Sequence, residues 1–259
     1  MALQIDLAGK LVLITGGTRG IGRGIAERFL AAGAEVLVCS RHEPDDLPTA
    51  GDATASFLAA DMREPEAIAA LFGRVEEEYG RLDVLINNAG GSPSAEAATA
   101  SVRFAAAIVM LNLQSAMMCS PHANKLMQEQ DDGGVILNIG SVSGLRASPG
   151  TAAYGAAKAG LINLTQSLAV EWAPKVRVNC VSAGLIDTEQ SHIHYGDEMG
   201  KARVAATIPA GRLGTPQDVG DACVFMASPL AAYISGANLL VHGGGEKPAF
   251  LEAAVDEDG

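Results

Sequence analysis

Residues 11–22, LVLITGGTRGIG, join a strand, a turn and the start of a helix. The first five form a short, almost entirely apolar run, which is typical of a strand buried in a parallel sheet. Glycines follow, and the helical periodicity of residues 21–32 ends at Gly33. Glycine in such a turn permits a tight bend and lets backbone N–H groups approach a pyrophosphate at the positive helix end. The spacing is GxxxGxG, and its place directly after the first strand favours a nucleotide-binding turn over a purely structural one.

Strand and helix patterns alternate along the rest of the chain. Short apolar runs predict further strands at residues 35–39, 56–60, 84–87, 134–139, 176–181 and 237–241. Helical periodicity predicts helices at residues 66–79, 153–172 and 216–226, with one or two more within 102–128. Seven strands separated by helices predict an α/β fold, a single doubly wound parallel sheet of the Rossmann type with helices on both faces.

Three further features concern the organisation of the chain. No linker divides it, so residues 1–259 are predicted to form one domain. A long irregular segment is predicted at 184–214, and its residues from about 189 to 210 are expected to close over a substrate. Residues 246–259 are predicted to be a short acidic tail.

Composition excludes several classes of protein. The formal net charge of −12 disfavours a general nucleic-acid binder, which needs cations to displace counterions from phosphates, and also docking on an anionic membrane. No apolar run approaches the roughly 18 residues of a transmembrane helix. The four cysteines lie far apart with no CxxC pair, which supports neither a zinc site nor a disulfide framework. With no signal peptide recognised, the cytoplasm is the expected location.

Two residues of the predicted 153–172 helix are suited to acid/base chemistry. Tyr154 and Lys158 are four positions apart, so their side chains share one helix face. A free tyrosine titrates near pH 10, and a nearby ammonium is expected to lower its pKa towards neutrality. The pair is therefore a candidate general acid/base. Ser141, which follows the predicted strand 134–139, is a candidate hydrogen-bond donor to a substrate oxygen.

Several motifs in a fixed order together carry a resemblance. TGGTRGIG at 15–22, Asp61, Asn87-Asn88-Ala89-Gly90, Asn112, Ser141, and the Tyr154 and Lys158 pair resemble the motifs of the short-chain dehydrogenase/reductase family over about residues 7–245. The resemblance implies hydride transfer between a nicotinamide cofactor and a ketone or secondary alcohol, chemistry that the cofactor itself supplies. It also implies a small-molecule carbonyl or alcohol substrate and a homo-oligomer, typically a tetramer.

The resemblance also assigns roles to individual residues. Tyr154 is the expected proton donor or acceptor, and Lys158 also holds the nicotinamide ribose. Ser141 orients the carbonyl, and Asn112 supports a water-linked proton path. The remaining cofactor-binding residues implied are, in the glycine turn, Gly16, Thr18, Arg19, Gly20, Ile21 and Gly22; at the adenine, Asp61 and Met62; along the ribose, Asn88, Ala89 and Gly90; and at the carboxamide, Gly184, Ile186 and Thr188. The sequence departs from the family at Ala183, where a proline is usual.

The choice of nicotinamide depends on the residues after the second strand. An acid there often binds the ribose 2′-hydroxyl of NAD, but this chain has Ser40 and Arg41. Together with Arg19, they suit a 2′-phosphate, because the arginine fork makes bidentate contacts with phosphate. NADP(H) is therefore favoured. NAD(H) stays possible if the arginines are simply solvated, and the protein is then an NAD-dependent alcohol dehydrogenase.

The segment expected to cover the substrate contains His192, His194 and Tyr195. A His-x-His pattern invites a metal site, but no carboxylate or cysteine partner is fixed by the sequence, so no metal is predicted and a mobile loop is favoured. Nothing in the segment identifies the substrate. A non-catalytic nucleotide-binding regulator is the alternative from another functional class, and the presence of both Tyr154 and Lys158 argues against it.

Overall fold

The computed structural model describes residues 5–248 and 250, so most of the predicted acidic tail lies outside the described residues. The main sheet has seven strands, each preceded or followed by helices that cover it. The strands are β1 Leu11–Thr15, β2 Glu35–Ser40, β5 Ser56–Ala59, β6 Val84–Asn87, β7 Gly134–Ser141, β8 Val176–Ala183 and β9 Asn238–Val241; a separate hairpin has β3 Thr49–Ala50 and β4 Ala53–Thr54. The helices are α1 Gly20–Ala31, α2 Pro65–Tyr79, α3 Val102–Val109, α4 Ser115–Glu129, α5 Ala152–Glu171, α6 His192–Tyr195, α7 Glu198–Thr207 and α8 Pro216–Ala227.

The sheet order confirms the predicted fold class. The strands follow the order β5-β2-β1-β6-β7-β8-β9, and every neighbouring pair is parallel. The chain steps outward from β1 to β2 and β5, then returns to the other side of β1 with β6. This reversal opens a crevice at the carboxyl ends of β1 and β6, where ligands of doubly wound sheets bind.

Burial on both faces explains the continuous apolar strands. In β1, Val12 and Ile14 point to the core under α1 and α8, whereas Leu11 and Leu13 point to the core under α2 and α4. All five residues of this strand are buried. Because side chains alternate between the faces, a strand covered on both sides is apolar at most positions, and in β1 only Thr15 is polar.

Two parts of the chain differ from the prediction. The segment 184–214, expected to be irregular, contains α6 and α7. Helix α7 begins where the side chain of Asp197 accepts a hydrogen bond of 2.9 Å from the Gly200 N–H, and Gly196, with a φ of 76°, separates the two helices. The hairpin β3–β4 lies between β2 and β5, where the sequence predicts no strand, because strands of two residues are too short to show alternation.

One long helical run forms from α3, a π-helical turn at Met110–Gln114 and α4. By length and composition alone, its span Val102–Glu129, with a hydropathy of 1.5, is sufficient to cross a membrane. Here α4 instead packs on the sheet through residues such as Cys119, Ala123 and Met127. A helix that covers a core can have the same length and composition as a membrane-spanning helix, so these two properties are weak support for a membrane span.

Candidate active site

The glycine turn connects β1 to α1 at the crevice. Gly16 and Gly20 have φ values of 63° and 54°, which glycine adopts without steric cost. A Cβ added to Gly22 would lie 2.3 Å from the carbonyl oxygen of Gly16 and 2.4 Å from Nδ2 of Asn88, so only glycine fits there. Arg19 is the N-cap of α1, and a guanidinium has no acceptor for the first helical N–H groups. The turn thus presents backbone donors at the positive end of α1.

Hydrogen bonds fix the two strands that border the crevice. The Thr15 hydroxyl, at the end of β1, accepts from the N–H groups of Asn88 and Ala89, each at 3.0 Å. The Asn88 amide donates back to the carbonyl oxygens of Thr15 at 2.9 Å and Gly16 at 3.0 Å. The loop after β6 is therefore attached to the glycine turn, which explains the amide at this position.

The predicted acid/base residues come from β7 and α5. Ser141 ends β7 and is buried, and its hydroxyl accepts from the Ser143 N–H at 3.1 Å. On α5, Tyr154 is half-buried and hydrogen-bonds to Ser141, while Lys158 is 4% exposed. Lys158 Nζ lies 5.6 Å from the centroid of the Tyr154 ring and donates to the carbonyl oxygen of Ile139 at 2.7 Å. The three side chains thus meet at one point on the cleft wall.

Burial dominates the electrostatics of this group. It raises the pKa of Tyr154 above its ordinary value, and the hydrogen bond from Ser141 offsets part of that rise. Burial also lowers the pKa of Lys158 to about 8. The expectation that the ammonium lowers the tyrosine pKa is therefore wrong for this structure, because burial outweighs it and Nζ is directed to Ile139. The phenol is thus protonated at neutral pH.

Asn112 lies in the π-helical turn, behind the loop that follows β6. Its Oδ1 accepts from the Gly91 N–H at 2.8 Å, and its Nδ2 donates to the carbonyl oxygens of Gly91 and Ile108, both at 2.9 Å. The bond to Ile108 satisfies a backbone carbonyl beside the π-helical turn. Turns of this kind often occur at functional sites. Asn112 is buried and is the one predicted site residue that is not among the residues lining the cleft. In this structure it holds Gly91 in place.

A single cleft of about 450 Å³ connects the glycine turn to the Tyr154 group. Ser141 lines it together with all the residues predicted to contact the cofactor: Gly16, Thr18, Arg19, Gly20, Ile21, Gly22, Ser40, Arg41, Asp61, Met62, Asn88, Ala89, Gly90, Tyr154, Lys158, Gly184, Ile186 and Thr188. Backbone donors and arginines occupy one end of the cleft, and the proton-transfer candidates occupy the other. The side chains present, and the absence of a Cβ at Gly16 and Gly22, fit an extended anionic dinucleotide.

A family model and a curated relative match nearly the whole of this arrangement. The model described as enoyl-(acyl carrier protein) reductase matches residues 16–246. The 3-oxoacyl-(acyl-carrier-protein) reductase of Vibrio cholerae is 37% identical over 244 residues, which cover 93% of this chain and 98% of that protein. The chain belongs to the short-chain dehydrogenase/reductase family.

Other relatives in the family carry different substrate names. A 3alpha-hydroxysteroid dehydrogenase of Mediterraneibacter gnavus is 36% identical over 245 residues, covering 92% of this chain and 97% of the relative. Among solved structures, the ligand-free aldohexose dehydrogenase of Thermoplasma acidophilum superposes with a TM-score of 0.86 at 32% identity, covering 98% of this chain and 99% of that chain. Members of the family are named as reductases and dehydrogenases, so this protein is an oxidoreductase of the same class.

The structure adds Arg63 to the residues at the arginine end of the cleft. Its guanidinium donates to both carboxylate oxygens of Asp61, with Nε 2.9 Å from Oδ1, and lies on the cleft wall with Arg41. The hydrogen bond from Arg63 is the largest influence that lowers the pKa of Asp61, and the charge of Arg41 adds to it. The sequence could have indicated Arg63 as a site residue, since it follows Asp61 by two positions.

The segment between β8 and α8 begins and ends at the same edge of the sheet, where hydrogen bonds join its two ends. Asp187 N–H donates to the Gly214 carbonyl oxygen at 2.8 Å, and Gly214 N–H donates to the Leu185 carbonyl oxygen at 2.9 Å. From this closed base, α6 reaches over the cleft, so that His194 and Tyr195 line it. Within the described residues, no group of three or more His, Cys, Asp or Glu side chains is arranged to hold a metal ion.

Proposed function

We propose that this protein transfers hydride between NADP(H) and a ketone or secondary alcohol. The observation that carries the proposal is the meeting of Ser141, Tyr154 and Lys158 at one end of a cleft whose other end is the glycine turn. Bound at that turn, the nicotinamide cofactor supplies the hydride. The relatives named above are a 3-oxoacyl-(acyl-carrier-protein) reductase, a hydroxysteroid dehydrogenase and an aldohexose dehydrogenase, so they support the reaction class and leave the substrate open.

The proton chemistry belongs to the protein. The Tyr154 phenol is protonated at neutral pH because burial raises its pKa, so it can donate its proton to the oxygen of a ketone as that oxygen gains negative charge. Ser141 supplies a second hydroxyl at the same oxygen. Lys158 lies beside the Tyr154 ring and, with a pKa of about 8, is charged at neutral pH, and we expect it to hold the nicotinamide ribose. Asn112 positions Gly91 at the rim, and its part in a water-linked proton path stays a prediction.

Substitution of Tyr154 tests this assignment directly. Tyr154→Phe removes the proton donor and keeps the ring, so turnover of ketones with NADPH should be abolished while the NADPH dissociation constant stays nearly the same. Tyr233→Phe, at a fully exposed tyrosine, is the matched control and should behave as wild type. Retained turnover in Tyr154→Phe refutes the acid/base role. Tight NADPH binding by a wild-type chain that reduces no carbonyl supports the nucleotide-binding regulator instead.

The preference for NADP(H) is the finer part of the proposal. Arg41 and Arg63 border the cleft near Asp61, and Arg19 and Ser40 border it nearby. This concentration of positive charge favours a 2′-phosphate over a 2′-hydroxyl. NADPH should therefore bind about tenfold or more tightly than NADH, roughly 1.4 kcal/mol.

Fluorescence titration of both cofactors tests this preference. Arg41→Ala should erase the gap between them, and Arg74→Ala, at an arginine paired with Glu78 on α2, should leave it intact. Equal or tighter binding of NADH by wild type overturns the preference for NADP(H) and makes alcohol oxidation with NAD the next activity to assay.

Assembly and location complete the proposal. Val102 on α3, Met117 on α4 and Val170 on α5 are large apolar side chains exposed at 87%, 49% and 81%, and exposed apolar surface of this kind favours contact between subunits. We infer a homo-oligomer, with the tetramer as the expected form, in the cytoplasm. The four cysteines are buried and free, as suits a reducing compartment. Light scattering on the purified protein measures the number of subunits.

A further inference from the structure

Tyr195 is held in the cleft by the fold of its own segment. Ser191, which precedes α6, is 2% exposed, and its hydroxyl accepts from the Thr188 N–H at 2.6 Å and donates to the Ile186 carbonyl oxygen at 3.3 Å. The N–H of Tyr195 in turn donates to the Ser191 carbonyl oxygen at 2.8 Å. The single turn of α6 is therefore attached to the end of β8, and the position of Tyr195 follows from that attachment.

Tyr195 lies at the reacting end of the cleft. Tyr195 is half-buried, while its neighbours His192, Ile193 and His194 are exposed. It lines the same cleft as Tyr154 and Ser141 and approaches the backbone of Ile186. Burial is the largest cause that raises the pKa of Tyr195, followed by its electrostatic interactions with the ionisable groups of Tyr154, Asp187 and Glu246, while a backbone hydrogen bond at Ile186 opposes the rise. The protonated phenol of Tyr195 therefore lies near the Tyr154 phenol that transfers the proton.

Asp187 and Glu246, the two acids that influence Tyr195, are each paired with a cation. Lys201 Nζ lies 3.0 Å from Asp187 Oδ1, and Arg146 lies 2.5 Å from a Glu246 carboxylate oxygen. Both of these cations are thus engaged by acids of the protein itself, so a substrate carboxylate would have to compete for them. A neutral oxygen meets no such competition, and a phenol O–H donor suits it well.

We propose that Tyr195 donates a hydrogen bond to a second, uncharged oxygen of the substrate on the carbon next to the reacting carbonyl, which makes the substrate class a neutral α-hydroxy ketone or the corresponding vicinal diol. This inference rests on the proposed function. Reduction adds one hydride to the carbonyl carbon and one proton, from Tyr154, to its oxygen; the product is the vicinal diol and the nicotinamide is oxidised. A site that hydrogen-bonds a substrate hydroxyl rejects analogues without it, because the buried donor is then unpaired.

Three ketones of similar size separate the possibilities. In 3-hydroxy-2-butanone the carbon next to the carbonyl bears a hydroxyl, in 3-methyl-2-butanone a methyl group replaces that hydroxyl, and acetoacetate carries a carboxylate. The value of kcat/KM is measured for each with NADPH, using the full chain. Since a hydroxyl also activates the carbonyl chemically, the informative quantity is the hydroxyl-to-methyl ratio of kcat/KM in each variant compared with wild type.

Wild type should favour the hydroxy ketone over both other substrates, and Tyr195→Phe should lower the hydroxyl-to-methyl ratio about tenfold, roughly 1.4 kcal/mol. Tyr233→Phe should leave the ratio at the wild-type value. An unchanged ratio in Tyr195→Phe, with NADPH binding and melting temperature as in wild type, overturns the inference while the proposed function stands. A preference of wild type for acetoacetate overturns it equally. If wild type transfers hydride to no ketone and from no alcohol, the proposed function and this inference fail together.

Discussion

Replacing Lys158 with methionine should remove a pH dependence from the stability of this protein. Burial lowers the pKa of Lys158 from its ordinary value of 10.5 to about 8. Below pH 8 both the folded and the unfolded chain hold the proton, and the folded state carries the cost of burying it. Between pH 8 and pH 10.5 the unfolded state holds the proton and the folded state does not, so the free energy of unfolding rises with pH over this interval.

The size of the effect follows from the linkage relation. Each pH unit contributes about 1.4 kcal/mol, which amounts to about 3 kcal/mol over the whole interval. Methionine has a similar length and no charge, so the difference in unfolding free energy between wild type and Lys158→Met should move by that amount in favour of wild type as pH rises. Below pH 8 the variant avoids the cost of burying an ammonium group, so its stability relative to wild type should be higher there than at high pH. Wild type bears this loss of stability for its function.

Urea unfolding measures this difference, with the fluorescence of Trp172, the single tryptophan, as the probe. Trp172 packs against the core under α2 and α4 and therefore reports on unfolding of the sheet. Lys125→Met, at a lysine 62% exposed, is the matched surface control. A difference between wild type and Lys158→Met that stays constant from pH 7 to pH 10.5 would refute the reasoning, because it would mean that burial does not perturb this lysine.

Two further predictions concern the glycine turn and the base of the sheet. Gly22→Ala places a methyl group 2.4 Å from Nδ2 of Asn88, so it should destabilise the fold by about 1–3 kcal/mol and weaken NADPH binding. The control Gly73→Ala, at a helix position with open space, should instead stabilise the fold by up to about 1 kcal/mol. Thermal melting and cofactor titration compare the two variants. Asp83 is 5% exposed and accepts from the Leu11 N–H at 2.9 Å, so Asp83→Asn should cost about 2 kcal/mol in urea unfolding. Burial opposes the charge of Asp83, but its hydrogen bonds prevail and lower its pKa, so its contribution is present above about pH 4 and lost as pH falls through the folded-state pKa; a difference from wild type that does not narrow in acid would contradict this.

Much of the fold could be predicted because the decisive signals are local. The apolar run at residues 11–15 and the glycines that follow it carry their own conformational preference, and strands that alternate with helices indicate a parallel sheet with right-handed crossovers. The cleft could be predicted for the same reason, since the ends of β1, β6, β7 and β8 meet at one edge of the sheet. Resemblance of the spaced motifs supplied the assignment of individual residues.

What could not be predicted depends on contacts between distant parts of the chain. Helix α6 has only four residues, and its place is set by the Ser191 hydroxyl rather than by periodicity. The π-helical turn is accompanied by bonds from Asn112 to Gly91, a residue 21 positions away. The pKa of Tyr154 was misjudged because spacing gives the helix face of Lys158 but neither the burial of the site nor the carbonyl that its ammonium contacts.

The closed base at Asp187 and Gly214 has a consequence for how this enzyme can diversify. Because the segment starts and ends at adjacent points of one sheet edge, its length and content can change without moving the strands that carry the cofactor cleft. Doubling the length of such a loop costs only about 0.6 kcal/mol of closure entropy. The segment is therefore suited to exchange, and transplanting another relative's version between these two residues, with Thr188 kept for the cofactor, is a direct route to a new substrate.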